Sequence, residues 1–237
     1  LGRELTKLIP NALTPSHQEL DVSNERNIYK YIQENLPDVV IHLAAFVSPA
    51  KCEIEKEKAW VTNVSGTKYL VEACEKFAPE CYFLLISTPC VFSGKEGNYH
   101  ENSLPYPENF YSVTKFVQEI IIQQSKLRFC IMRGNFVSFE KYPYPKAFTD
   151  RWGTYLFAHQ LARAILDVII VRATGIIHLV GNKKISMYEL AKKCPNSENT
   201  QPMTCEEFYK ENPNAVKVTK DMSLITKKWY KEYDIDG

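Results

Sequence analysis

The sequence predicts an α/β fold, a parallel sheet wound on both faces by helices. Three observations carry this. Residues 37–45 (PDVVIHLAA) and 82–86 (YFLLI) are short apolar runs of the kind that form strands buried on both faces, and 128–133 (RFCIMR) reads as a further strand. Helix-period segments separate these runs, as strand–helix–strand units require. The first run ends in small residues and the second on the hydroxyls Ser87 and Thr88. In open α/β sheets ligands bind there, beyond the carboxyl ends of the strands.

Composition sets the outer limits. The 237 residues, 45% hydrophobic and 24% charged, suit one globular domain or one with a small appendage. Lys+Arg at 29 against Asp+Glu at 28 leaves a net charge of +1, which excludes a general electrostatic attraction to nucleic acid or to a membrane surface. No apolar run reaches the length of a membrane span and no signal peptide opens the chain. The seven cysteines are odd in number and form no CxxC pair, so they read as reduced thiols, with neither a disulfide frame nor a zinc site. A cytoplasmic protein without a bound metal is expected.

Taken in order, the chain opens on a helical pattern through Leu5 and Leu8. Residues 11–14 are a candidate second strand, and Ser23 can cap a helix over 24–35. Within the 37–45 strand, His42 has aliphatic neighbours and reads as a core histidine. Residues 53–77 form one long or two joined helices, in which Asn63, amid apolar neighbours, needs a hydrogen-bond partner. After the 82–86 strand, Asn109 and Pro107 mark a loop leading into a helix over 111–124, with Phe116, Val117, Ile120 and Ile121 on its buried side. Beyond the 128–133 strand lie an aromatic, proline-rich loop at 142–148 and a helix over 158–168. A strand over 175–180 precedes a helix opened by a Ser186–Glu189 capping box. Residues 195–237 are polar, with isolated Trp229 and Tyr230, and are expected on the surface.

The chemistry concentrates in residues 81–115. Tyr111 and Lys115, four apart, share one face of the predicted helix. An ammonium beside a phenol stabilises the phenolate. With a hydroxyl at the tip of a strand, the three groups make a site for moving a proton onto or off a carbonyl oxygen. A lone Tyr-x-x-x-Lys arises often by chance; its junction with the hydroxyl-tipped strand is what gives it weight.

The Ser87-Thr88 tip with Tyr111-Ser-Val-Thr-Lys115 resembles the active-site half of an extended short-chain dehydrogenase/reductase, a family with a Rossmann-type doubly wound sheet. Val91-Phe92-Ser93-Gly94 is similar to the dTDP-4-dehydrorhamnose reductase branch. The resemblance implies Rossmann residues 1–137 and a small substrate-binding portion with a tail over 138–237. Gly2 matches the third glycine of a G-x-x-G-x-x-G turn, whose other glycines and preceding strand are absent from this sequence, so an N-terminally truncated fold is expected. By the same resemblance Asp21 and Val22 border the adenine, and Leu43, Ala44 and Ala45 lie against the ribose and pyrophosphate. Asn63 positions the lysine, or serves only as a structural hydrogen-bond partner. Ser87, Tyr111, Lys115 and Asn135 complete the cofactor contacts, and Thr88, Cys90, Tyr111, Asn135 and Phe136 the substrate contacts. Thr14–His17 offers no acid to grip a ribose 2′-hydroxyl, which leans the expectation towards NADP over NAD.

The reaction follows from the same comparison. Related 4,6-dehydratases carry an Asp-Glu pair after the threonine, where this chain has Pro89 and Cys90; related epimerases read V-Y-G where it has Val91-Phe92-Ser93-Gly94. Reduction of a 4-keto nucleotide sugar is the implied activity, with Tyr111 as proton donor, Thr88 orienting the oxygen and Lys115 holding the ribose and lowering the Tyr111 pKa. The branch's S-T-D-Y-V-F-D-G has become Ser-Thr-Pro-Cys-Val-Phe-Ser-Gly, so two polar groups near the sugar are lost. The aromatic loop at 142–148 is either a wall of the sugar pocket or an ordinary surface loop. A nucleotide-sugar substrate is the expected partner, with no nucleic acid and no membrane, and a homodimer stays open. A second implication is a non-catalytic role, since the regulatory beta subunit of methionine adenosyltransferase resembles the same branch.

Overall fold

The computed structural model describes residues 1–236. Helices α1 (Gly2–Leu8) and α2 (Glu25–Asn35) precede strand β1 (Val39–His42). Next come α3 (Pro49–Ile54), α4 (Lys56–Trp60), a π-helical turn at Val61–Ser65 and α5 (Gly66–Phe77). Strand β2 (Tyr82–Ser87), helix α6 (Phe110–Gln123) and strand β3 (Arg128–Arg133) follow. The later part adds β4 (Asn135–Val137), β5 (Lys146–Phe148), β6 (Trp152–Gly153), β7 (Tyr155–Phe157), α7 (Ala158–Val171) and β8 (Gly175–His178). It finishes with β9 (Ile185–Ser186), α8 (Met187–Lys193), β10 (Gln201–Met203), α9 (Cys205–Glu211) and β11 (Asp221–Met222).

The central sheet has four parallel strands in the order β1-β2-β3-β8, so it draws its last strand from beyond residue 137. Side chains alternate across it. Tyr82, Leu84, Cys130 and Met132 pack with Leu5 of α1 and Leu161, Ile165 and Val168 of α7. Phe83, Leu85 and Ile131 pack on the other face with Ile28 and Ile32 of α2, Leu70 and Val71 of α5, and Ile122 of α6. Both faces are buried, which is why the strands read as unbroken apolar runs. This is the doubly wound α/β sheet the sequence predicts.

Several elements differ from expectation. Residues 11–14 are exposed coil, not a strand: Leu13, their one large apolar side chain, is 63% exposed, so nothing drives them into a sheet. Asn24, not Ser23, caps α2 by accepting from Asn27 N–H, and the Ser23 hydroxyl turns to Asp21 instead. The buried side of α6 is polar. Ser112, Thr114, Lys115, Gln118 and Glu119 lie inside with Ile122, whereas Phe116, Val117, Ile120 and Ile121 are only partly buried. Ser112, Thr114, Lys115 and Glu119 all find hydrogen-bond partners, and Gln118 donates from Nε2 to Thr67 Oγ1 at 2.6 Å while its Oε1 has no partner among the described residues.

The C-terminal stretch is not a surface tail. Trp229 is buried in the α1/α7 core cluster, while Tyr230 is exposed. Parallel bridges join Leu224 to Tyr99 and Tyr233 to Gly181, and β11 extends a small sheet with β6 and β9. In the 142–148 loop, Tyr142 is buried in a separate cluster with Tyr155, Leu190 and Met222, and residues 146–148 pair with β10, while Pro143, Tyr144, Pro145 and Lys146 are exposed.

Candidate active site

The strand tip is shaped by a cap. β2 ends at Ser87, and Thr88 stands at the head of a one-turn 3₁₀ helix, Pro89–Val91, its side-chain oxygen accepting from Cys90 N–H at 3.2 Å. Pro89 suits the first position of that turn, where a missing N–H costs nothing. The contact with Cys90 leaves the Thr88 hydroxyl proton free, and the hydroxyl lies close enough to the Tyr111 phenol to oppose the upward shift of its pKa. Tyr111 sits in the first turn of α6, which is fixed twice. Asn109 caps it by accepting from Ser112 N–H at 2.9 Å, and Phe110 N–H donates to Glu53 of α3 at 2.7 Å.

Lys115 lies one turn on, buried, donating from Nζ to the Ile86 carbonyl at 3.0 Å. Loss of water pushes its amine down to about 8, opposed by the nearby Glu119 carboxylate. Burial pushes the Tyr111 phenol up; the neighbouring thiols of Cys90 and Cys52 push it the same way, and the Thr88 hydrogen bond opposes them. The phenol therefore does not show the downward shift expected from Lys115. The ammonium is turned to a backbone carbonyl, and desolvation outweighs any help it gives.

Behind the strand tip lies a charge pair that sequence reasoning missed. Glu119 and Arg133 are both buried, and the guanidinium grips the carboxylate with two hydrogen bonds, of 2.6 and 3.0 Å. The Ser87 hydroxyl donates to the same carboxylate, so this predicted cofactor contact is committed inward. Arg133 also lies over the Phe92 ring at 5.0 Å. The spacing of Glu119, four residues after Lys115, was the available signal. A charged residue in a helix ordinarily reads as solvent-facing, which hides Glu119 in the sequence.

Asn63 is buried in the π-helical turn. Its Oδ1 accepts from Phe46 N–H at 2.7 Å, and its amide donates to Phe46 O and, at 2.9 Å, to Thr114 Oγ1. It thus ties the loop after β1 to the residue beside Lys115. His42 is a satisfied core histidine: its Nε2 lies 2.9 Å from Thr67 Oγ1, and burial holds it neutral, with its pKa down to about 3.

Four predicted cofactor residues, Asp21, Val22, Ala44 and Ala45, line one open cavity of about 590 Å³. His17, Lys58 and Thr62 share it and were not anticipated. Ser23 donates from its backbone and its hydroxyl to Asp21, which holds that carboxyl below the usual range. A Cβ on Gly66 would sit 2.4 Å from Val22 O, so this glycine is what lets α5 approach the turn carrying Asp21 and Val22. Gly2 has no such need, since a Cβ there would meet only Leu43 Cδ1 at an ordinary 3.7 Å. Leu43 and Phe136 pack against the α1/α7 core cluster instead of lining the cavity. Cys90, a neighbour of Tyr111, and Asn135 converge on the Met222 sulfur, at 3.6 and 4.0 Å.

The family model of the RmlD substrate binding domain matches residues 1–144. A dTDP-4-dehydrorhamnose reductase of Aggregatibacter actinomycetemcomitans is 28% identical over 217 residues, 81% of this chain and 73% of that protein. The methionine adenosyltransferase 2 subunit beta of Xenopus laevis is 27% identical over 203 residues, and this chain spans 59% of its length. The crystal structure of a dTDP-4-dehydrorhamnose reductase from Bacillus anthracis, in complex with NADP, superposes with a TM-score of 0.83, covering 98% of this chain and 91% of that one at 21% identity, and so shares the fold.

Proposed function

The chain belongs to the RmlD substrate binding domain family, and from that membership we infer that it reduces the 4-keto group of a nucleotide sugar at the expense of a nicotinamide dinucleotide, in the manner of a dTDP-4-dehydrorhamnose reductase. The observation that carries the reading is the meeting of the Thr88 and Tyr111 hydroxyls at the strand tip, with the Lys115 amine one turn behind. Pro89 and Cys90 supply no carboxylate for the eliminations that related dehydratases perform.

The residues present fit the cofactor. Ala44 and Ala45 present small side chains to the cavity and Asp21 offers it a carboxylate, while His17 and Lys58 add basic groups suited to a 2′-phosphate, which favours NADP over NAD. When bound, the dinucleotide supplies the hydride that reaches the carbonyl carbon. Tyr111, protonated at neutral pH, gives its proton to the oxygen as negative charge develops there. Thr88 donates a hydrogen bond to the same oxygen, and its own oxygen is held by Cys90 N–H, so the hydroxyl is preset. Lys115 contributes positive charge beneath the site, anchored at Ile86 O. We assign cofactor binding mainly to residues up to 137 and substrate binding mainly to those after it, and we place the protein in the cytoplasm.

The test is a set of nucleotide-4-ketosugars offered with NADPH, followed by loss of nicotinamide absorbance. Consumption dependent on Tyr111 supports the reading. The likeness to a methionine adenosyltransferase beta subunit supplies the contrary outcome: no turnover with any ketosugar, and co-purification with a synthetase catalytic subunit.

A further inference from the structure

Arg151, in the turn between β5 and β6, is a half-buried cation with no carboxylate partner among the described residues. Its Nε donates to Thr219 O at 2.9 Å. Its two remaining arms face only thioether sulfurs, Nη1 at 3.3 Å from Met187 Sδ and Nη2 at 3.4 Å from Met222 Sδ. Sulfur is a weak acceptor, so a guanidinium with five donors is left poorly satisfied. The adjacent acids are engaged elsewhere, Asp150 with Lys220 at 3.6 Å and Asp221 with Lys184. A half-buried guanidinium whose free arms meet only sulfur is open to pairing with an anion.

Its surroundings point to which anion. One sulfur atom, that of Met222, separates Arg151 from Cys90 and from Asn135. Cys90 is in turn an electrostatic neighbour of Tyr111. A line of groups therefore runs from the proton donor through Cys90 and Met222 to the guanidinium. In a nucleotide-4-ketosugar the anomeric carbon, which carries the diphosphate, lies across the ring from the ketone. Tyr155 adds a second donor nearby, because its buried hydroxyl has no hydrogen-bond partner and Arg151 is among its charged neighbours. Methionine side chains are flexible and can yield their place to oxygen ligands.

We propose that Arg151 is the residue that receives the diphosphate of the nucleotide sugar, displacing the Met187 and Met222 thioethers and setting the sugar ring with its ketone towards Tyr111. This rests on the nucleotide-sugar reading above. Bidentate guanidinium–phosphate pairing supplies both energy and orientation.

The test is calorimetric titration of the NADPH-loaded protein with dTDP, inorganic diphosphate and thymidine. Arg151→Met should weaken dTDP and inorganic diphosphate by roughly 10- to 100-fold, the usual worth of a charge-assisted pair, and leave thymidine unchanged. Arg151→Lys, which keeps the charge and is the safer variant for folding, should recover part of the loss. Met222→Leu should leave dTDP affinity intact. Unchanged dTDP affinity in an Arg151→Met protein that melts like the wild type would overturn the proposal, and so would an equal loss for thymidine. If the wild type binds dTDP through Arg151 but reduces no ketosugar, the reductase reading fails and the diphosphate site stands. If it reduces ketosugars with Arg151 dispensable for dTDP, the reverse holds.

Discussion

Tyr111 is protonated at neutral pH and burial raises its pKa further, so it enters the reduction as the proton donor. Tyr111→Phe keeps the ring and should leave melting unchanged while lowering ketone reduction by about 10²–10⁴-fold, the span expected of a positioned acid. Full activity in that variant would remove Tyr111 from the mechanism. Lys115 governs the pH response. An unfolded lysine keeps its proton to roughly 10.4, whereas folded Lys115 releases it at about 8. Between these values the unfolded chain binds more protons, so the contribution of Lys115 to stability rises with pH there. Any melting advantage of Lys115→Met over wild type should therefore shrink as pH is raised through that window, and parallel melting curves would contradict it. Activity runs the other way: kcat/KM should fall as the ammonium is lost above pH about 8. Tyr111 and Lys115 were legible because a four-residue spacing sets them on one helix face, and Thr88 because it tips an apolar strand in a segment resembling a reductase family. Glu119 and Arg133 were not, because nothing local distinguishes a buried charge from a solvated one.

At the scale of elements, α6 presents a polar face to the sheet, and the Glu119–Arg133 pair is its anchor. Removing one partner strands the other in a dry site, so Arg133→Met should destabilise the protein by about 3–5 kcal/mol, measured by chemical denaturation. Replacing both with apolar residues should restore most of that loss. A single-variant cost below about 1 kcal/mol would show that water reaches the pair. Gly66→Ala forces a methyl group against Val22 O, which should cost about 1–3 kcal/mol and weaken NADPH binding together, since the displaced turn borders the cavity. The strands were readable because burial on both faces writes itself as a continuous apolar run. The inward face of α6 was not, because periodicity assigns apolar residues to the interior and cannot see a carboxylate already matched by an arginine from the next strand. Asn63 lay beyond reach in a related way: its need for a partner was clear, but the π-helical turn that aims it at Thr114 has no signature in residue types.

For the molecule as a whole, the end of the chain is structural. Trp229 fills the cluster between the sheet and α7, so Trp229→Ala should cost about 3–5 kcal/mol in a denaturant melt. A change within about 0.5 kcal/mol, typical of surface sites, would return the segment to the periphery. Its role was hidden in the sequence because a lone tryptophan in a polar stretch carries no periodicity. The same segment supplies the backbone N–H groups of Lys227 and Lys228 and the Thr226 hydroxyl to the buried Glu101 carboxylate, up to 127 residues earlier. On a ribosome adding about 5–20 residues per second, Glu101 emerges roughly 6–25 s before those donors exist. Until then water solvates the carboxylate, so this contact is one of the late, long-range steps that complete the fold, and it cannot form before residues 226–228 have been made.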